Sequence, residues 1–589
     1  MANDLLTTLR HNMKEKHIDA LYVPTADPHQ TEYVGEHYQT RTFLTGFTGS
    51  AGTAVVTEND ALLWTDGRYF IQAEREIEPA GFSLMKMATP GYPTVIEWLT
   101  QHMPEEATLA FNGQLLSQRQ YESLETALKS KKIKLVSDDS LLESLWADRP
   151  ALPKSRVFTH DIEFAGQTVK EKLDALRERM KDVDGTLLSS LNNIGWLFNF
   201  RGGDLQHDPI AYAYSLITKD NAILYLDPAK YDKAFSTDLE ENGVTLKPYE
   251  AIWDDAKSIE GKMILDKATT SRALYEAFGQ VEKVDRPEPV FLQKASLLAI
   301  EEENTRDAWL EDGVALVRFF RWLEAHVKDG KETEITASDE LSELRKKGRH
   351  FLKDSFDTIS AYADNAAMMH YKAAEETAKT LKPEGLYLID SGGHYLSGTT
   401  DITRTVALGK PTDKERRDYT LVLKSHINLA TAVFLHGMTG HYLDVLARQP
   451  LWKHHIDYKS GTGHAIGYLG GVHEGPQRIS TVHIPVKLEE NMVITIEPGI
   501  YREGEHGIRL ENVYIVKEDG EAGTDRFMRF DCLSFVPFDR SLIDVSLLSD
   551  DELTWLNEYH ADVYAKLSPR LSEEETAWLK KATEALGRS

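Results

Sequence analysis

The chain has 589 residues, a length that suits about two to four domains. Its 67 Lys+Arg against 94 Asp+Glu leave a formal charge of −27, which argues against a general nucleic-acid binder or a basic membrane-surface protein. Hydrophobic residues make up 41%, enough for several cores, and a single cysteine, Cys532, excludes a disulfide framework and any Cys-based zinc finger or iron–sulfur site.

The first residues carry Asp4 and no basic run leading into an apolar one, so they do not read as a signal peptide. No stretch of about 18 apolar residues marks a membrane span. The expected compartment is the cytoplasm. Leu5, Leu6, Leu9 and Met13 predict an amphipathic helix over residues 1–17. Strands are expected at 20–24, 53–56 and 61–65, the last two joined by a turn. Strands then alternate with helical stretches to about 150, the pattern of an α/β domain. Arg149-Pro150-Ala151-Leu152-Pro153 reads as a linker. A second cycle follows, with a helix at 168–181 and strands near 186–190 and 214–226, closing at Arg286-Pro287-Glu288-Pro289. The two cycles share a helix-then-strand opening, but too little identity to be read as a repeat.

From about 294 the texture changes. Val314, Leu316, Val317, Phe320 and Leu323 predict a core-facing helix over 311–329. Apolar runs at 385–390, 492–497 and 513–517 predict strands, and the tail from about 540 reads as helical and acidic, a packing or oligomerisation element. Cys532 has no activating neighbour in sequence and reads as a buried or incidental thiol.

The chemistry concentrates in this last part. Asp390 ends an apolar run, and Asp401 follows eleven residues later across a Gly-rich connection, so two strands joined tightly would bring both acids together. Two adjacent carboxylates repel unless a proton or a cation sits between them, although an Asp at a strand end is by itself most often a turn residue. His464 lies among Gly461, Gly463 and Gly467, and His473 follows nine residues on; a His in a solvated loop remains an equal reading of that cluster alone. Glu497 and Glu511 each sit at or near the end of an apolar strand, where a buried carboxylate is costly unless paired or metal-bound. Four carboxylates and one imidazole are the inventory of a two-metal site. Carboxylate-rich ligation favours Mn²⁺, with Zn²⁺, Co²⁺ or Fe²⁺ as substitutes. Paired ions can lower the pKa of a shared water and polarise a carbonyl, which points to amide hydrolysis.

The motifs Leu388-Ile389-Asp390-Ser391-Gly392-Gly393, Thr400-Asp401-Ile402-Thr403-Arg404-Thr405, Gly461-Thr462-Gly463-His464, Val472-His473-Glu474-Gly475-Pro476, Thr495-Ile496-Glu497-Pro498-Gly499 and Arg509-Leu510-Glu511-Asn512 resemble those of the pita-bread metallopeptidases. Within them the chain is most similar to the long, three-domain, cytosolic-type aminopeptidase P (Xaa-Pro aminopeptidase) family. Earlier segments match too, among them 27–33, 46–53, Trp64-Thr65-Asp66-Gly67-Arg68-Tyr69-Phe70 and 196–202, as does 536–539. The resemblance implies two creatinase-like N-terminal α/β domains, 1–152 and 153–293, followed by a pita-bread α+β catalytic domain with a C-terminal helical tail, 294–589. It implies release of the N-terminal residue from peptides with proline at the second position, by attack of a metal-bridging hydroxide on the Xaa-Pro bond.

Roles carry over residue by residue. Asp390 corresponds to a ligand of one ion, Asp401 and Glu511 to the bridging carboxylates, and His464 and Glu497 to the remaining ligands of the second ion. Glu497 also corresponds to the general base. His370 corresponds to a catalytic and substrate-side His, His473 to the one that steadies the tetrahedral intermediate, Arg68 to a substrate-binding Arg and Arg509 to a catalytic Arg that orients its neighbours. The implied cofactor is a pair of divalent ions, Mn²⁺ first and Zn²⁺ or Co²⁺ as alternatives. The implied partners are Xaa-Pro peptides and a second copy of the chain, with no nucleic acid and no membrane.

Three positions depart from the family pattern. Ser460 stands where many members have His, Ala465 where Gly is common, and His394 where Gln is frequent. His394 is expected to be a surface variant rather than a third metal-binding His. Two other readings remain: a prolidase-like dipeptidase with the same metal site, which would be shorter with one N-terminal domain, and a non-catalytic protein on the same fold, such as the peptidase-like domains of histone chaperones, which would have lost ligands.

Overall fold

A computed structural model describes residues 2–588. They fall into two compact units, Met1–His160 with Gln167–Gln293, and Asp161–Gly166 with Lys294–Ser589.

The first unit holds two six-stranded sheets of mixed direction. In space the first runs Ser83–Lys86, Ala61–Thr65, Thr53–Thr57, Ala20–Pro24, Thr108–Phe111, Lys134–Ser137. The second runs Val244–Lys247, Ala222–Leu226, Ala213–Thr218, Gly185–Leu188, Gly261–Ile264, Val281–Val284. Taken in chain order, both follow 4-3-2-1-5-6, with antiparallel pairing in the hairpin half and parallel pairing at the outer strands. The kinship that residue identity is too low to reveal is therefore present as topology.

The N-terminal helix, Ala2–Glu15, buries Leu6, Leu9 and Met13 on one stripe against the first sheet, as the sequence spacing predicts. Neither Pro-rich break hangs free. Pro150 accepts a 2.6 Å hydrogen bond from His37 Nδ1, and Arg149 Nε donates to the His37 carbonyl. At the second break Glu288 is buried, and its carboxylate accepts from the Ser189 and Ser190 amides, Asn193 Nδ2 and the Thr269 hydroxyl. Burial lifts the pKa of Glu288, and these donors work against the rise.

The second unit is built on the long helix Ala299–His326, which starts twelve residues before the expected boundary. The Leu298 amide donates to Glu301 Oε2 and closes its first turn. Leu316, Phe319, Phe320 and Leu323 form one core with Tyr387, Ile389, Ile402, Val513 and Ile515, residues of the strands that border the metal-binding candidates. At about 1.5–3 kcal/mol per buried large apolar side chain, this contact anchors the strands that carry the site.

The acidic tail consists of two capped helices, Asp550–Leu567 and Glu573–Ala582. Ser549 and Ser572 cap them, and Asp550, Asp551, Glu552 and Glu573, Glu574, Glu575 fill their first turns, where the helix dipole favours negative charge. Leu556, Tyr559, Val563 and Leu567 are buried, and Arg318 pairs with Glu575 at 2.9 Å, so the tail is a packing element of this unit. No helix among the described residues is long and apolar enough to cross a membrane.

Candidate metal centre

Two antiparallel strand pairs set the acids. Leu386–Ser391 pairs with Ile402–Ala407, with Asp390 opposite Thr403 and Ser391 opposite Ile402. Asp401 directly precedes the second strand, so both aspartates lie at one end of the pair. The link between them is not a plain tight turn, because Gly393–Tyr395 and Gly398–Thr399 form a small hairpin that joins a separate three-stranded sheet. Gly392 makes the crossing possible: a Cβ there would stand 1.9 Å from the Thr400 carbonyl oxygen.

The second pair is Val493–Ile496 with Asn512–Ala522, Ile496 opposite Asn512. Glu497 and Glu511 are the residues just outside that pairing and so emerge at the same end. The Glu511 amide donates to the Thr403 carbonyl, which ties this pair to the first. His464 arrives on Gly463–His464, where a Cβ at Gly463 would stand 1.9 Å from the Thr495 carbonyl oxygen, and the His464 amide donates to Thr495 Oγ1 at 3.0 Å.

The donors converge. Asp390, Asp401 and Glu511 each offer a carboxylate oxygen within 4.8 Å of the others; ring nitrogens and carboxylate oxygens converge as closely in His464, Glu497 and Glu511 and in Asp401, His464 and His473. His464 Nδ1 donates to the Ala465 carbonyl, which fixes the tautomer with the Nε2 lone pair 3.3 Å from Glu497 Oε1 and 3.5 Å from Asp401 Oδ2. The His473 ring stands edge-on to that of His464 with centroids 4.4 Å apart.

Such a cluster of acceptors is unfavourable by itself. Burial pushes the Asp401 and Glu511 carboxyls well above their ordinary range, with Asp390 adding to the first and Asp401 to the second. Burial likewise lifts Glu497 to about 7, with Asp390 raising it further and Arg509 and His473 opposing. Asp390 Oδ1 and Glu511 Oε1 are buried oxygens with no hydrogen-bond donor. Orphaned carboxylate oxygens, a lone pair of imidazole and four acids in contact are what a pair of divalent cations satisfies, so the residues fit the metal that the motifs imply.

The surrounding donors are specific. Arg509 Nη2 donates to Asp390 Oδ2 at 2.6 Å, its Nη1 to the Tyr501 hydroxyl at 2.7 Å and its Nε to Thr403 Oγ1 at 3.1 Å. Thr403 in turn donates to Glu511 Oε2 at 2.9 Å. Burial would lower the pKa of Arg509, but Tyr501, Asp390 and Glu497 outweigh it, so the guanidinium stays charged.

The structure thus brings together Asp390, Asp401, His464, His473, Glu497 and Glu511, with Arg509 bonded to one of them. His370 lies in the turn after the 3₁₀ segment Ala363–Ala367 and belongs to none of the three donor groups. Arg68 lies in the other unit, where its Nε and Nη2 each donate to Asp66 at 2.8 Å. His394 corrects the expectation of a surface position. It is fully buried in the hairpin strand Gly393–Tyr395, with Nδ1 3.0 Å from the Thr399 hydroxyl. Cys532 donates to the Ser534 carbonyl, and burial pushes its thiol up to about 12, which makes it unreactive. Sequence reading missed Thr403, Thr495 and Tyr501; two of them sit inside the quoted motifs, but only the strand register shows which atoms they reach.

Residues 303–518 match metallopeptidase family M24, and residues 526–586 match the C-terminal region of that family. Residues 6–145 and 148–298 each match a creatinase/prolidase N-terminal domain. A probable Xaa-Pro aminopeptidase P from Coccidioides posadasii is 38% identical, with 99% of both chains covered. The crystal structure of an X-prolyl aminopeptidase from Caenorhabditis elegans, described as a cytosolic enzyme with a di-nuclear active site, superposes with TM-score 0.94 at 33% identity over all of both chains. An Xaa-Pro dipeptidase from Bacillus anthracis, with TM-score 0.52 and 25% identity, is covered to 99% but covers only 63% of this chain. The chain belongs to metallopeptidase family M24, in its full-length Xaa-Pro aminopeptidase branch, with two creatinase-type α/β domains ahead of the peptidase domain.

Proposed function

We propose that this chain is a two-metal hydrolase that releases the first residue of peptides whose second residue is proline. The observation that carries the reading is the buried cluster of Asp390, Asp401, His464, Glu497 and Glu511, with two orphaned carboxylate oxygens, in a chain with full-length Xaa-Pro aminopeptidase relatives.

Asp401 and Glu511 would be shared between two ions, Asp390 would hold one, and His464 and Glu497 would complete the other. When bound, the pair supplies a water of lowered pKa and a Lewis acid for the scissile carbonyl. Glu497 would serve as the general base. Its carboxylate lies inside the donor cluster, within reach of a group held there. His473, beside His464, would donate to the carbonyl oxygen as negative charge builds there. Arg509 orients Asp390 through a charge-assisted bond. His370 is assigned to the substrate side. The bond to be broken is a tertiary amide without an N–H, so recognition must come from the shape of the pyrrolidine ring and not from an amide donor.

The carboxylate-rich donor set supports Mn²⁺ as the working ion. The Caenorhabditis elegans neighbour, described as a cytosolic enzyme, supports a cytoplasmic setting. Domain limits of 1–152, 153–293 and 294–589 are supported by the creatinase/prolidase N-terminal matches at 6–145 and 148–298 and by the main body of the second unit, which starts at Lys294. We also propose a homodimer. Tyr442, Val445 and Trp452 stand exposed on one face of the helix Gly440–Trp452, an aromatic and aliphatic surface of the kind that a partner copy covers.

The test is product analysis on three peptides. Release of arginine from Arg-Pro-Pro, with Arg-Ala-Ala untouched and the dipeptide Arg-Pro cleaved more slowly, supports the proposal. Preference for the dipeptide favours a prolidase, and no cleavage by the metal-loaded protein favours a binding protein.

A further inference from the structure

One buried ion pair of the peptidase unit lies outside the ligand set and yet reaches it. Asp444 and Arg448 sit one turn apart on Gly440–Trp452, 3% and 2% exposed, with Arg448 Nε donating to Asp444 Oδ2 at 2.6 Å. The other guanidinium nitrogens grip the loop that follows the helix. Nη1 donates to the Tyr458 carbonyl at 2.8 Å and to Asp457 Oδ1 at 3.0 Å, and Nη2 donates to the Ser460 carbonyl at 2.8 Å. The guanidinium also lies 4.1 Å from the Tyr458 ring centre.

The pair reaches the metal centre through Thr462, which is fully buried. Its hydroxyl donates to Asp444 Oδ1 at 2.6 Å and accepts from the Tyr458 hydroxyl at 2.6 Å. Its amide donates to the Ile479 carbonyl, and its carbonyl accepts the Glu497 amide at 2.8 Å. His464 is two residues further on, beyond Gly463, whose backbone lies against that of Thr495. Any shift of Thr462 therefore moves His464 through the chain and Glu497 through the hydrogen bond. None of these bonds involves Asp390, so the effect falls on one side of the centre. Because Arg448 holds the main chain of residue 460, the Ser that departs from the family pattern there leaves this clamp intact.

We propose that Asp444 and Arg448 are positioning residues for the His464–Glu497 half of the centre and set the affinity of that half for its ion. The inference rests on the two-metal reading. A planar guanidinium can meet four acceptors in fixed directions, whereas a lysine at the same place is a point charge. Loss of a group that orients metal ligands costs about 10–100-fold in metal affinity.

The experiment is calorimetric titration of Mn²⁺ into the chelator-stripped full-length chain, for wild type, Arg448→Lys and Thr462→Val, with melting curves to show that each variant is folded. Wild type should take up two ions. In both variants one affinity should be unchanged and the other weakened about 10–100-fold. If both affinities in the folded variants equal those of wild type, the positioning role is wrong while the two-metal reading stands. If Arg448→Lys does not fold, Thr462→Val decides by the same criterion. If wild type binds no Mn²⁺, both the inference and the reading beneath it are overturned.

Discussion

Arg509 and Glu511 are joined through a single hydroxyl: Arg509 Nε donates to Thr403 Oγ1, and Thr403 donates to Glu511 Oε2. The same guanidinium donates to Asp390, so one cation fixes a carboxylate from each of the two strand pairs. This relay explains how a strained group of acids keeps one geometry before any ion arrives.

Arg509→Lys retains the charge and loses the relay. Turnover should fall by about 10–100-fold, with the melting temperature of the metal-free protein nearly unchanged. Steady-state kinetics at saturating Mn²⁺ checks this. Wild-type turnover in the variant would show that charge alone suffices at residue 509.

Asp401→Ala and Glu497→Ala should reduce turnover to background. Asp401→Asn should also separate binding from folding. In wild type, added Mn²⁺ raises the melting temperature, because the ion binds only the native state. In Asp401→Asn that rise should be strongly reduced, while the metal-free variant melts no lower than metal-free wild type, since burial and Asp390 disfavour the native charge at this residue. A full Mn²⁺-dependent rise in the variant would contradict the assignment of Asp401 as a shared ligand.

His394→Ala should lower stability by about 1–3 kcal/mol through a cavity in the hairpin beside the site. The folded fraction should keep most of its turnover, because His394 belongs to none of the donor groups. Thermal melts and active-site-normalised kinetics separate the two effects. A loss of activity in fully folded protein would make His394 part of the catalytic machinery.

Acid should weaken the fold through three buried histidines. Burial holds His29 down to about 4, and His426 and His560 down to about 3. The unfolded chain protonates such residues near ~6.5, so below that pH it binds protons that the native state excludes. The stabilisation from the neutral rings is whole above pH ~6.5 and drains away as pH falls towards their folded values. The melting temperature should therefore drop between pH 7 and 5, and His560→Gln, whose amide can still accept from the Phe538 N–H, should show a shallower drop. A pH-independent melt over that range would refute the role of these rings.

Much of the site was legible in the sequence because its physics is local. Asp390, Glu497 and Glu511 end apolar runs, and Gly463 beside His464 signals close backbone approach, so residue type and neighbour alone identify them. What was hidden depends on pairing across long separations. His394 looks exposed beside a Gly-rich turn, and only the hairpin with Thr399 carries it inside. Arg149-Pro150 looks like a loose linker, and His37, more than a hundred residues earlier, pins it. The start of the helix Ala299–His326 was obscured by the run of glutamates at 301–303, one of which closes its first turn. The two N-terminal sheets share a strand order that no residue pattern records.

The most direct test of the central claim joins product to metal in one series. The full-length chain is stripped with chelator, reloaded with Mn²⁺ in steps, and assayed at each step for free arginine from Arg-Pro-Pro. Activity should be absent in the stripped protein and should return as Mn²⁺ is added, reaching its maximum at two ions per chain. Arginine release that persists without metal, or a fully loaded protein that leaves Arg-Pro-Pro intact, would contradict the account.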